Sequence, residues 1–224
     1  MRDPTIIVWP RGVVDPRNVI RQIDRPSFSG PPPLVGRPQV VVSPAAGWRI
    51  GYEGVPFNAG NRSTFFPILD RIGSFAEPIY ISPYDYYGDA VARAGVARTT
   101  LYTFVGPYLF TGGYYFSASI SNCTLAAAAT MGATEITVTN SVTAPLQAGD
   151  YFEIDGRLHR VVSIYLTTWK IWPGLRDDYA SGKILEISDP RMKAYLSTES
   201  QALASRLATG RYGDATLEFV EAGW

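Results

Sequence analysis

Apolar residues fall along this chain in short runs separated by 17 prolines and 21 glycines, the punctuation of a protein built from many strands and turns. "TIIVW", Thr5 to Trp9, reads as a first strand stopped by Pro10. "PQVVVS", Pro38 to Ser43, reads as another. In "GWRIGYEG", Gly47 to Gly54, Trp48, Ile50 and Tyr52 alternate with Arg49 and Gly51 at the period of a half-buried strand, which makes Trp48 a core residue. The pattern shifts to helical spacing in "NRSTFFPILDRIGS". There Phe65, Phe66, Ile68, Leu69 and Ile72 form one apolar face, Ser63 or Thr64 serves as N-cap, Pro67 falls in the first turn and Gly73 lies just past the end. "EPIYISPYD" is a short strand closing in a turn at Pro83. Arg98 to Ser119, dense in aromatic and β-branched residues, predicts one or two strands broken at Gly106-Pro107 and Gly112-Gly113. Its tyrosines suit sheet or interface packing, or else a ligand platform.

From about Leu125 to Ile187 the chain reads as a self-contained unit of five strands, "TEITVTN", "DYFEID", "LHRVVSI", "TWKIWP" and "KILEIS", preceded by an alanine run with Met131 that could form a helical turn. Such close spacing predicts a compact barrel or sandwich. Beyond it, strands are expected from Met192 to Leu196 and from Ala215 to Val220, with a short helix over "TESQALASRLATG" between them. The expected fold is all-β, mainly β with one or two short helices. Residues 1–122 plus 190–224 form a β-sandwich body, and residues 123–189 form an inserted small β-barrel-like domain. Arg25 to Pro38 holds five prolines and is excluded from any central strand; it is a surface connection or an arm lying on a neighbouring subunit.

Composition narrows the function. An apolar fraction of 46% and a charged fraction of 18% fit an ordered globular chain. Twenty basic and twenty acidic residues cancel, so no net field draws the chain to nucleic acid, and sequence recognition of nucleic acid is not expected. Cys123 is the only cysteine, which rules out an intrachain disulfide and a cysteine-based zinc site from one chain. No apolar run reaches the roughly 20 residues that span a bilayer. The expectation is a soluble protein made in the cytoplasm, where the sequons at Asn61 and Asn122 carry little meaning.

Leu146 to Ile164 gathers Asp150, Glu153, Asp155 and the only histidine, His159. Strand parity places Glu153 and Asp155 on one face with Tyr151, while Phe152 and Ile154 point the other way. A carboxylate pair could serve as acid and base, and His159 could be the base of a Ser-His-Asp triad. The simpler reading makes the pair a solvated strand face and His159 a partly exposed hairpin residue. The chain contains no Gly-x-Ser-x-Gly elbow, no phosphate loop and no Gly-x-Gly-x-x-Gly fingerprint. No catalytic, cofactor-binding or metal-ligating residue is assigned, and no enzyme activity or cofactor is expected. For the hairpin, a two-residue turn at Asp155-Gly156 would mix apolar and polar faces. A three-residue loop over Asp155 to Arg157 is predicted instead, pairing Ile154 with Leu158 and Glu153 with His159.

Three stretches resemble the distal tail proteins of long-tailed bacteriophages and related gene transfer agents. They are the helix followed by "SFAEPIYISPYD", the span "PLQAGDYFEIDGRLHRVVSI" with "WKIWPGLRDDYASGKILEISDPRMKAYL", and the ending "YGDATLEFVEAGW". The resemblance implies a structural virion protein of the tail tip, made in the host cytoplasm. It implies a homo-oligomeric ring, a hexamer in that family's usual form, whose partners are the tail tube protein and the baseplate hub protein. It carries over no catalytic residues. The 14 tyrosines, five tryptophans and the arm at Arg25 to Pro38 suit such a ring. The alternative is a carbohydrate-binding β module contacting host-surface glycans; a third, a glycosidase using Glu153 and Asp155, is the least favoured.

Overall fold

A computed structural model describes residues 5–24, 27–29, 40–42, 46–57, 60–74, 76–83, 123–139, 146–187, 189–197 and 213–222. The aromatic stretch 98–119, the helix expected over 198–210 and most of the arm 25–38 lie outside them. The chain is all-β, with one short helix and a barrel-like part. Among the described residues no helix is long and apolar enough to cross a membrane.

The first sheet has six strands in the order β1-β6-β13-β14-β5-β2. These are β1 (Ile7–Val8), β2 (Asn18–Asp24), β5 (Gly47–Phe57), β6 (Ile79–Ile81), β13 (Met192–Leu196) and β14 (Gly213–Glu221). Two further strands, β3 (Ser27–Ser29) and β4 (Val40–Val42), make a separate ribbon at the ends of the arm. Alternation does what the pattern requires: Trp48, Ile50 and Tyr52 of β5 and Leu217 and Phe219 of β14 are all buried on one face. At its centre the Trp9 ring meets Tyr52 at 5.3 Å, Phe219 at 5.8 Å and Phe65 at 6.3 Å, each edge to face.

Helix α1 (Arg62–Leu69) lays Phe65 and Leu69 on this core. It starts earlier than expected. Asn61 is the N-cap residue, its carbonyl accepting from Thr64 N at 3.1 Å and Phe65 N at 2.9 Å, whereas neither Ser63 nor Thr64 caps. Pro67 therefore sits inside the helix rather than in its first turn. Nor does Gly73 end it: a π-helical turn, Asp70–Ser74, carries the chain through Gly73, and Ile72 of the expected apolar face is fully buried.

The second sheet, order β12-β7-β8-β11-β10-β9, comprises β7 (Cys123–Leu125), β8 (Glu135–Thr139), β9 (Tyr151–Ile154), β10 (Arg157–Tyr165), β11 (Thr168–Trp172) and β12 (Ile184–Leu185). Glu153 and Glu186 bridge its two edges with reciprocal backbone hydrogen bonds of 2.8 and 2.9 Å, so the sheet curls into a nearly closed barrel. Phe152, Ile154, Val161, Trp169 and Ile171 fill it. The alanine run is not helical: Ala126 N donates to Thr137 O and Ala129 pairs with Tyr179. The barrel's chain leaves the first sheet after β6 and returns at β13, and these two strands pair directly, Ile81 beside Met192.

Candidate functional site

The β9–β10 hairpin carries the acidic cluster, and its register corrects the expectation. Ile154 pairs with Arg157 and Glu153 with Leu158, so the turn has two residues, Asp155 (φ 50°) and Gly156 (φ 80°). Positive φ at both central positions is the hairpin geometry that an Asp-Gly pair favours. The expected three-residue loop requires one face of the hairpin to be wet. Instead both faces of β9 are buried. Phe152 and Ile154 enter the barrel core, and Tyr151 joins Leu158 in the core of the first sheet. Arg157 and Glu153 are tolerated on these faces because both find partners: Arg157 Nη1 donates to Ala222 O, and Glu153 accepts backbone N–H groups.

Glu153 is thus no solvated residue. It is 2% exposed, Oε1 accepts from Gly156 N at 3.1 Å and Oε2 from Arg191 N at 2.8 Å. Asp150, also buried, accepts from Gln147 N at 2.7 Å. Asp155 reaches outward to Lys183 Nζ at 2.6 Å. The three carboxylates have three separate structural tasks, and they do not converge as an acid–base pair would.

His159 is fully buried rather than partly exposed. Its ring stacks on Phe152, centroids 5.3 Å apart, and Nδ1 lies 2.9 Å from Pro173 O. A carbonyl only accepts, so Nδ1 carries the proton and donates. Burial lowers the imidazole pKa to about 4, assisted by the charges of Arg176 and Arg157 and opposed by the Pro173 bond. Burial likewise pushes the Cys123 thiol up to about 11. Among the described residues no group of three or more His, Cys, Asp or Glu side chains is placed to hold a metal ion.

The hairpin's chief work is to join the two sheets. Trp48 Nε1 donates to Leu158 O at 2.7 Å, and the Trp48 ring packs on Tyr151 at 5.5 Å. Arg176 Nη2 reaches Glu221 Oε2 at 3.2 Å, both side chains at most 6% exposed, and the same oxygen accepts from Trp48 N at 3.0 Å. Burial raises the Glu221 pKa, with Arg176 and the Trp48 N–H opposing. At the turn, Lys193 N donates to Gly156 O at 2.8 Å. A Cβ on Gly156 would stand 2.9 Å from Tyr80 Cε1 and 3.3 Å from Lys193 Cβ, so this glycine serves both turn and close approach. The sequence reading missed Arg176 and Glu221. For Glu221 a signal existed: Ala215, Leu217, Phe219 and Glu221 share one strand parity, which sets a carboxylate at the end of an apolar row.

Compared with known protein families and with curated proteins, the chain matches neither.

Proposed function

We propose that this chain is a structural subunit of a bacteriophage tail, a distal tail ring protein that joins the tail tube to the baseplate hub. The resemblance stated above supplies the identity of the assembly. The observation that carries the reading is the junction itself. A barrel inserted between two paired strands is held to the first sheet by Trp48, by the buried Arg176–Glu221 pair and by the Arg157 bond to Ala222 O. A part that transmits geometry between a tube and a hub needs its two β units at one fixed angle, and apolar packing reinforced by buried polar bonds supplies that fixity. The titratable groups of the hairpin are used in holding it, which fits a structural role better than a chemical one.

Sedimentation and negative-stain imaging of the purified protein at micromolar concentration test this. A closed ring of several copies, six in the resembling family, is the expected result. A monomer throughout that range, together with tail particles that assemble without this chain, would overturn the reading.

A further inference from the structure

The barrel and the first sheet have separate cores, and they meet where the barrel lends Tyr151 and Leu158 to the core of the sheet. The meeting is held by Trp48 Nε1 on Leu158 O, Lys193 N on Gly156 O, Arg157 on Ala222 O and Arg176 on Glu221. His159 stands behind the last of these. Its Nδ1 donates to Pro173 O, at the start of the short segment that delivers Arg176. His159 and Phe152 are cross-strand partners, so the ring points to the barrel side of β10, as do Arg157 before it and Val161 after it. Val161 lies in the barrel core and Arg157 reaches the end of β14, which sets His159 at the mouth of the barrel that the first sheet covers.

The ring's second nitrogen is not used by the fold. Nε2 is buried and, among the described residues, has no hydrogen-bond partner. While the imidazole is neutral, with its proton on Nδ1, Nε2 is only an unpaired acceptor. A second proton would create a buried N–H with nothing to receive it, and a full charge beside two others of the same sign. Those two are Arg176, after β11, and Arg157, on β10. Arg160 of β10 points to the opposite side and is exposed. From β9, Phe152 covers the ring face, whereas Glu153 lies on the far side and holds Gly156 N and Arg191 N. From β14, Glu221 gives Oε2 to Arg176 and to Trp48 N. Burial pushes the Tyr179 hydroxyl up to about 12, so it stays neutral.

We infer that this junction is an acid-released hinge: protonation of His159 lets the barrel part from the first sheet while each unit keeps its own fold. A protonated ring reaches water only by displacing the segment that starts at Pro173, and that movement takes Arg176 off Glu221. The open form therefore takes up the proton more readily than the closed one, and acid shifts the equilibrium toward it. The closed form binds the proton at about pH 4, against 6.5 for an exposed histidine. Closure is fully favoured above pH 6.5, and the opening equilibrium rises by about 50-fold from pH 7 to pH 4.5. Glu221 acts in the opposite sense, because burial raises its pKa in the closed junction, and its proton uptake offsets part of that rise. The inference does not rest on the tail assignment, since a monomer and a ring subunit open alike.

Hydrogen exchange of the isotope-labelled full chain, read by NMR from pH 7 to pH 4.5 and normalised for intrinsic exchange, tests the hinge. The Trp48 indole N–H and the Lys193 amide report the junction, because their acceptors Leu158 O and Gly156 O lie across it. The Trp9 indole N–H, bonded to Val14 O, reports the first core, and the Ile171 amide, bonded to Thr134 O, reports the barrel. Protection of the two junction groups is expected to fall together by about 10- to 50-fold, and that of the two controls by less than about threefold. His159→Gln keeps a donor for Pro173 O but takes up no proton, and its junction protection is expected to hold across the range. The wild-type comparison stands even if that variant does not fold. An equal fall in all four groups would mean general unfolding and would overturn the hinge. So would junction protection unchanged down to pH 4.5, or the wild-type fall repeated in His159→Gln.

Discussion

Replacing Gly156 with alanine separates two costs that the structure places on one residue. Gly156 lies at φ 80°, and Gly182 at φ 81°, but nothing stands within 4 Å of a Cβ built on Gly182. Putting an L side chain at such a φ costs about 1 kcal/mol at either position. At Gly156 the added methyl also comes within 2.9 Å of the Tyr80 ring, which is 3% exposed and has no room to swing away. Overpacking of this kind costs about 1–3 kcal/mol more. Gly156→Ala is therefore expected to lose about 2–4 kcal/mol and Gly182→Ala about 1 kcal/mol. Urea unfolding followed by tryptophan fluorescence measures both, and an unchanged slope confirms that the variants differ in stability and not in the surface exposed on unfolding. In a Tyr80→Ala background the excess cost at Gly156 is expected to shrink. Equal losses for the two glycine variants would refute the claim that the turn is pressed against the first sheet.

Three further outcomes follow from other parts of the molecule. His159 binds a proton at about pH 4 in the folded chain against 6.5 when exposed. The neutral form is thus the one the fold prefers, and its stabilisation is complete above pH 6.5 and lost as pH falls toward 4, by about 1.4 kcal/mol per unit and about 3 kcal/mol in all. His159→Phe is expected to flatten that slope in unfolding curves taken from pH 7 to pH 4, and an identical slope would sink the assignment. Glu221→Leu leaves Arg176 buried without its carboxylate and is expected to cost about 3–5 kcal/mol, whereas the double variant Arg176→Met/Glu221→Leu costs far less; additive losses in a double-mutant cycle would show that the pair does not couple. Leu166→Gly relieves a leucine held in the left-handed region at φ 54°, and after the entropy of glycine is counted it is expected to gain about 0.5 kcal/mol, seen as a higher urea midpoint.

How far the sequence could be read depended on whether one face of each strand was wet. In β5 and β8 it was, and the alternation of Trp48, Ile50 and Tyr52, or of Ile136 and Val138 with Glu135 and Thr137, located the inward side chains directly. In β9 no face was wet, so the pattern that assigned Glu153 to solvent failed, and with it the turn length. Burial of Glu153 and His159 depends on partners from distant segments, Arg191 N and Pro173 O, which no local period reveals. Pro67 misled for a different reason. A proline is favoured in a first turn, yet here the apolar stripe through Ile72 outweighs the missing N–H and the helix begins five residues before it.

The order of strands in the first sheet also bears on how the chain is expected to fold. Every strand of the barrel lies within residues 123–187, whereas β14, last in the chain among the described elements, occupies the middle of the first sheet between β13 and β5. During synthesis the barrel's strands are all present while Trp48, Ile50 and Tyr52 still lack the strand that will lie beside them. The pairing of Ile81 with Met192 must then close a long loop already occupied by a finished barrel, a step slowed by its sequence separation. The barrel is thus expected to gain protection before the sheet that carries it in pulsed hydrogen exchange during refolding, with Glu221 and Ala222 completing the grip on Arg176 and Arg157 last; simultaneous protection of both sheets would refute this order.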